Sequence, residues 1–480
     1  MCSRYFIVGS LLVLMTACAM GPDYSRPDVP KPEAFRMAET ERDLTSIANM
    51  PWWELYQDEE LQKLIRIALE ENKDLKRAVA SIDEFQARLF IARMDFAPQL
   101  SATSNFPVAR RGGFDFPGFP NPFAHYGQGS LSWELDIWGR IRRANEAGLA
   151  DLLAREENRR AIVLQLVSGV AQAYLDLRQL DMQSDIAKRT LLAWEESVRI
   201  GKARLRQGII NRLDVDQFEA ERENAAARIA ELKRQAVQKE NELSVLLGRN
   251  PTHITRGRSL TAQVMPLVVP AGLPSELLQR RPDILQAEQQ LTAATARIGV
   301  AKAERFPKLS LTGILGAASP HLTDFISPGT DFGILAPAVT GPLLNAQVLG
   351  FQQRAAEAQA RQAVAHYEQT ILVAFKEVED SLVAVSTARE QAAAQERQVN
   401  ALRSALHLAD LRYRGGLANY LDVLIAQRNL FEAELALTAT RRLYLVSIVQ
   451  LYKALGGGWS PEGNRDKADA APPPGGTNKG

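Results

Sequence analysis

Residues able to do covalent or metal chemistry are few in this chain, and where they sit is informative. Cysteine occurs twice, as Cys2 and Cys18, so neither a disulfide framework nor a cysteine metal site is open to the body of the chain. His125, His253 and His366 are scattered, with no HxxxH or HExxH spacing, and neither a metal nor another cofactor is expected. Paired carboxylates, a nucleophile motif and a phosphate loop are all missing, so the chain does not read as an enzyme. The residue best placed for modification is Cys18. Arg4 precedes a short apolar run over residues 6–15, too short to cross a bilayer as a helix, which takes about 20 residues. It reads as a secretory signal peptide. Met15-Thr16-Ala17-Cys18 is similar to the cleavage site of bacterial lipoproteins, with Met15 where the pattern prefers Leu. In that reading residues 1–17 are removed and Cys18 becomes an acylated N-terminus. The alternative is an ordinary small-residue cleavage site that happens to precede a cysteine. Ala19, rather than Asp, follows, which points to sorting to the outer membrane and contact with its lipids.

Charge says little about a partner but excludes one class. Lysine and arginine total 57 against 56 acidic residues, a net charge of +1, without the concentrated basic face a nucleic-acid binder needs. Aromatics are only 7%, and Ala, Leu, Gln, Glu and Arg dominate long stretches, which favours long helices.

The chain is written twice. A shift of 209 lays residues 72–103 on 281–312 without a gap, matching Asp74 with Asp283, Ala87-Arg88 with Ala296-Arg297, and Pro98 with Pro307. A shift of 208 lays residues 204–215 on 412–423, where Gly208 meets Gly416 and Leu213-Asp214-Val215 meets Leu421-Asp422-Val423. Each copy opens with a helix, over 61–94 and 276–305, ended by Pro98 or Pro307. Two strand-like segments follow, then a very long helix (140–206 and 347–414), a Gly-Asn turn and a last helix (213–247 and 421–455). A helix of about 65 residues reaches roughly 100 Å, too long for a globular core and suited to a conduit, stalk or coiled coil.

The strands alternate. Leu131-Ser132-Trp133-Glu134-Leu135-Asp136-Ile137 has one greasy and one polar face, and Leu309-Ser310-Leu311-Thr312 repeats the pattern. Leu100 begins a weaker segment, and Pro337 intrudes on a fourth that starts at Phe332. Such strands usually belong to a half-buried soluble sheet. Interrupting helices of this length, they instead suit a transmembrane barrel, with Trp133 and Trp138 at the lipid or its interface. Four strands cannot close a barrel, whose lower limit is about eight. Three chains would supply twelve and leave no open edge. The expected fold is therefore mainly α with a transmembrane β-barrel: an internally duplicated conduit of long helices, four strands per chain contributing to a trimeric barrel. Glu134 and Asp136 are expected on its lumen face.

Several stretches carry a resemblance that runs from Cys18 to about residue 458. Arg280-Arg281-Pro282-Asp283-Ile284 with Gly299-Val300-Ala301-Lys302-Ala303 and Phe306-Pro307 is the most specific. Gly21-Pro22-Asp23-Tyr24, Pro51-Trp52-Trp53, Trp133-Glu134-Leu135-Asp136-Ile137-Trp138-Gly139-Arg140 and Tyr420-Leu421-Asp422-Val423-Leu424 join it. With these the chain resembles the outer-membrane efflux protein family (TolC-like), in its lipoprotein branch of NodT or OprM type. A Phe-Asp-Gly-Gly-like turn common in that family is replaced by Leu344-Asn345-Ala346-Gln347. The resemblance implies a homotrimeric exit duct, its twelve-stranded barrel set on a long periplasmic helical barrel, that meets a periplasmic adaptor and, through it, an inner-membrane transporter. It also implies a periplasmic gate, which maps to residues 412–427. Asp422 is the candidate ring carboxylate, Leu421 a neighbouring constriction, and Arg412 and Arg414 candidate links between helices. Three carboxylates about one axis would favour cations. The plainer alternatives are that Asp422 and its repeat partner Asp214 are first-turn acids, and that Arg412 and Arg414 are last-turn cations. Gly208, Gly415 and Gly416 shape turns where an adaptor would dock, a role compatible with simple C-capping. Where relatives carry a second Asp this chain has Ile425.

The expected layout is a signal peptide (1–17), a lipid-anchored segment (18–57), a first repeat (58–250), an equatorial linker (251–274), a second repeat (275–457) and a disordered tail (458–480). A periplasmic coiled-coil adaptor or scaffold lipoprotein is the rival reading. The alternating strand flanked by tryptophans speaks against it.

Overall fold

A computed structural model describes residues 19–32, 34–36, 47–106, 125–263, 274–342 and 346–457. Cys18, the tail over 458–480 and the junction residues 343–345 lie outside that set. The elements are α1 (Trp52–Leu55), α2 (Glu59–Glu71), α3 (Lys73–Met94), β1 (Gln99–Asn105), β2 (His125–Leu135), α4 (Arg140–Arg206) and α5 (Arg212–Leu246). The second copy gives α6 (Pro274–Arg280), α7 (Pro282–Ala303), β3 (Lys308–Ser319), β4 (Asp331–Thr340), α8 (Ala346–Arg414) and α9 (Tyr420–Ala454). The long helices α4 and α8 have 67 and 69 residues, with boundaries within a residue of those expected. Among the described residues, no helix is long and apolar enough to cross a membrane.

The opening helix of each copy, expected to be continuous, is broken, at Asn72 and at Arg281. These positions are related by the 209-residue shift, and both side chains are buried. Asn72 accepts from the Leu75 amide at 3.0 Å and donates to the carbonyl of Leu246 at 2.9 Å, the last residue of α5. Arg281 donates to the carbonyl of Ala454 at 2.9 Å, the last residue of α9. Each break thus satisfies an orphan carbonyl at the end of its own repeat. Glycine is required beside one of these joints. Gly248 has φ +70, and a Cβ there would lie 2.3 Å from the Glu71 carbonyl oxygen. Pro282 at the first position of α7 was a visible sign of the second break; Asn72 offered none.

The strands form one antiparallel sheet in the order β1-β2-β3-β4. The register sets Leu100, Leu131, Gly313 and Leu335 in one row, and Ala102, Gly129, Leu315 and Gly333 in the next on the same face. Trp133, Leu311 and Pro337 continue that apolar face. The opposite face carries Ser101, Ser130, Ser132, Thr312 and Gln128. Pro337, which has no N–H to donate, is kept within β4, opposite Leu311. The alternation stops earlier than expected. β2 ends at Leu135, so Asp136 is not a strand residue.

Two compact units form, and they do not coincide with the repeats. One holds residues 1–29, 80–156 and 286–369, including the sheet; the other holds 30–79, 157–285 and 370–480. In the second unit Ile65, Ala68, Val170, Tyr174, Leu175, Leu177, Ile448, Val449 and Leu451 are fully buried, drawn from both copies. Burying each large apolar side chain contributes about 1.5–3 kcal/mol. A polar hub pins the linker to this core. Buried Asp58 accepts from the Glu60 and Leu61 amides, Tyr174 Oη at 2.9 Å, the Arg258 amide at 2.8 Å and Gln263 Nε2 at 2.8 Å. Burial opposes its charge, but the hydrogen bonds from Gln263, Tyr174, Arg258 and Leu61 outweigh it and hold the carboxyl below its usual range.

Candidate functional site

The expected gate residues flank the turn that joins α8 to α9, Arg412 and Arg414 at the end of α8 and Leu421 and Asp422 at the start of α9, while Gly208, Gly415 and Gly416 lie in this turn and in the one that joins α4 to α5, all within the second unit. Gly208 and Gly416 take φ +73 and +71 and end their helices in the left-handed conformation. Ile209 N then reaches the Arg204 carbonyl at 3.0 Å, and Leu417 N the Arg412 carbonyl at 2.8 Å. Gly415 sits one residue earlier, its amide bonded to the Leu411 carbonyl at 3.0 Å, and needs no special φ.

Beyond the turns the two copies diverge. Asn211 and Asp214 form a reciprocal capping box at 3.0 and 3.2 Å. Asp214 is therefore a first-turn acid engaged by its own helix. Asn419 makes no side-chain cap bond, and the Asp422 amide bonds the Asn419 carbonyl at 3.2 Å. The Asp422 carboxylate is exposed and has no partner among the described residues. Leu421 is 46% exposed beside it, and Ile425 39% one turn on.

Links between the repeats fall to residues that sequence reasoning passed over. The Arg204 guanidinium lies over the Tyr413 ring, 4.7 Å from its centroid, and hydrogen-bonds its hydroxyl. Tyr413 meets Tyr420 edge-on at 4.8 Å, and Tyr420 meets Phe218 at 4.3 Å. Tyr420 and Ser197 share a hydroxyl hydrogen bond at 2.9 Å. Burial pushes the Tyr420 hydroxyl pKa up, so it stays a neutral phenol. Arg414 pairs with Asp410 on its own helix at 2.9 Å, and Arg412 has no side-chain partner among the described residues. Arg204 is the repeat mate of Arg412, the signal that could have found it.

At the foot of the sheet the first unit builds a second polar cluster. Glu134, the last residue but one of β2, is held by both arms of Arg140, at 2.8 and 2.9 Å. Asp136 accepts from the amides of Ile141 (2.8 Å) and Arg142 (2.9 Å) at the start of α4. Its expected place on a strand's lumen face is thus corrected, because the carboxylate satisfies helix-start amides that would otherwise be orphaned. Trp133 Nε1 donates to the Phe96 carbonyl at 2.9 Å, and Trp138 Nε1 to that of Pro307 at 2.8 Å, with its ring stacked on Phe306.

The chain that follows Cys18 is gripped at this corner. Met20 N bonds the Trp138 carbonyl at 3.0 Å, and a Cβ on Gly139 would lie 2.7 Å from Ala19 Cα. Buried Arg143 reaches the Met20 carbonyl at 3.2 Å and Asp23 at 2.6 Å. Tyr24 and Arg26 both donate to Glu288, at 2.9 and 2.7 Å. No group of residues able to hold a metal ion occurs among the described residues.

Comparison with known proteins places this geometry. The family model for outer membrane efflux proteins matches residues 64–249 and 273–457. A toluene efflux pump outer membrane protein of Pseudomonas putida, TtgC, is 36% identical over 454 residues, 93% of this chain and 94% of that protein. A Salmonella typhimurium protein described as "Probable outer membrane lipoprotein SilC" is 32% identical, covering 94% of this chain and 98% of that one. Among solved structures, the open state of the Neisseria gonorrhoeae MtrE outer membrane channel superposes with a TM-score of 0.82 at 32% identity, over 92% of this chain and 98% of that chain.

Proposed function

The chain belongs to the outer membrane efflux protein family, and on that premise we propose that three copies join into one exit duct with a gate at Asp422. It is an outer-membrane channel component of an efflux system. The observation that carries the trimer is the sheet itself. It has four strands, two open edges and one apolar face. An edge left open in a bilayer strands unpaired N–H and C=O groups, each costing several kcal/mol. Pairing β4 of one copy with β1 of the next removes every edge after three copies give a closed, even-stranded barrel.

The other parts follow from what each residue has free. Asp422 is exposed and unengaged, whereas Asp214 is bound in a cap; the former therefore supplies the ring carboxylate, with Leu421 as the constriction beside it. The Arg204–Tyr413–Tyr420 cluster ties the two helical hairpins in the resting state. The turns at Gly208 and Gly415-Gly416 are where a periplasmic adaptor docks, and through it an inner-membrane transporter. Cys18 carries the lipid, and the grip on Ala19 and Met20 holds that anchor at the foot of the sheet. A passive duct of this kind does no covalent chemistry on its cargo.

Single-channel conductance of the purified full-length protein in planar bilayers tests the reading, wild type beside Asp422→Ala. The expected wild type opens in discrete steps with a preference for cations, and the variant loses part of that preference. Unchanged openings would remove Asp422 from the gate and keep the duct. No conductance, together with a monomer that shows no heat-modifiable mobility, would overturn the duct.

A further inference from the structure

Charges on the polar face of the sheet are scarce. Gln99, Ser101, Gln128, Ser130, Ser132 and Thr312 bring hydroxyls and amides to it, beside Ile314, Phe332 and Ile334. The charged side chains of that face, by strand parity, are Glu134 and Lys308. Glu134 does not stand free. Arg140 grips both of its oxygens, at 2.8 and 2.9 Å, in the planar fork that suits a carboxylate. Both side chains keep about a quarter or less of their surface exposed, 25% for Glu134 and 20% for Arg140.

Arg140 also answers to more than one acid. Asp95, just past the end of α3, and Glu304, just past the end of α7, both act on it electrostatically. These two acids are repeat mates under the 209-residue shift. Neither carboxylate has a hydrogen bond or ion pair of its own among the described residues. The guanidinium that holds Glu134 therefore also feels the charges of Asp95 and Glu304, at the place where the sheet gives way to the helices.

We propose that Arg140 is a specificity-determining residue of the duct, masking Glu134 so that this carboxylate adds little fixed charge to the polar face that solutes pass. The inference rests on the trimeric-duct reading, in which the polar face lines the passage. Three copies place three such pairs around it. Removing Arg140 would expose three Glu134 carboxylates, and with them the fields of Asp95 and Glu304. A passage with low-dielectric walls focuses such fields. A guanidinium keeps its proton at every ordinary pH, so Arg140 stays charged throughout.

Reversal potentials under a KCl gradient test this with the full-length protein in planar bilayers. Five proteins are compared: wild type, Arg140→Gln, Glu134→Gln, the double variant and, as a charge-keeping control, Arg140→Lys. Arg140→Gln is expected to raise the cation-to-anion permeability ratio by about twofold or more, through the three carboxylates it uncovers. Glu134→Gln is expected to lower it, and the double variant to return to the wild-type ratio. Arg140→Lys should stay near wild type, since it keeps the charge and loses only the fork. Open channels with the same ratio in Arg140→Gln and wild type would overturn the proposal. If Arg140→Gln does not assemble, an unchanged ratio in Glu134→Gln overturns it equally. Conductance missing from every protein, wild type included, together with a monomer that shows no heat-modifiable mobility, would overturn the duct reading and this assignment with it.

Discussion

Asp58 gathers five donors from α2, α4 and the linker, more than any neutral side chain of its size can satisfy. Its carboxyl is held below the ordinary value near 3.9, so the sign of its contribution is fixed. The stabilisation is present above that ordinary value and is lost as pH falls through the lower, folded value. Melting of the helical signal, followed between pH 7 and pH 3, should therefore show the wild type weakening only below about pH 4. Asp58→Asn should melt earlier at pH 7, by an amount equivalent to about 1–3 kcal/mol, and respond less to acid. An equally steep acid response in the variant would place the sensitivity elsewhere. Sequence alone offered no hint of this residue, because its partners Tyr174, Arg258 and Gln263 lie 116, 200 and 205 positions away. Asp214 and Asp422 show the converse. Their shared place one turn into a helix was legible, while only the structure separates the one engaged by its cap from the one left free.

Elements were read well where their signals are local. Period-two alternation marks β2 and β3, and the glycine turns and prolines mark most helix ends within a residue or two. The sheet's two faces make a direct test. Leu315 stands 73% exposed on the apolar face, with Gly129 and Gly333 on either side, near the middle of β3. Leu315→Arg should cost about 2–4 kcal/mol if it meets lipid near the midplane, whereas Ser130→Arg, on the opposite face, should cost far less. Folding yield into lipid vesicles, compared for the two variants, checks this. Equal losses would mean that the faces are not lipid and lumen. The helix breaks at Asn72 and Arg281 were not legible as a pair, since what stabilises them is a carbonyl 174 or 173 residues further on.

At the scale of the whole molecule, duplication does not make two domains. Each compact unit draws on both repeats, because the long helices leave the sheet-bearing unit and continue into the other. The open edges of β1 and β4 predict assembly. In detergent the protein should run as three chains, resist dodecyl sulfate at room temperature and fall to a single chain on boiling. A monomer before boiling would contradict barrel closure by three copies.

The repeat, the long helices, the alternating strands and the family resemblance all came from the order of residues alone. Such signals depend on periods of two or about 3.6 residues and on turn chemistry confined to a few neighbours. The tertiary structure decided which charges are engaged. It closed each repeat onto its own break, gave the helix link to Arg204, withdrew Asp136 from the strand and set Arg140 over Glu134. Hydrogen bonds and ion pairs act over about 3 Å, and a folded chain supplies that distance between residues that its sequence keeps far apart.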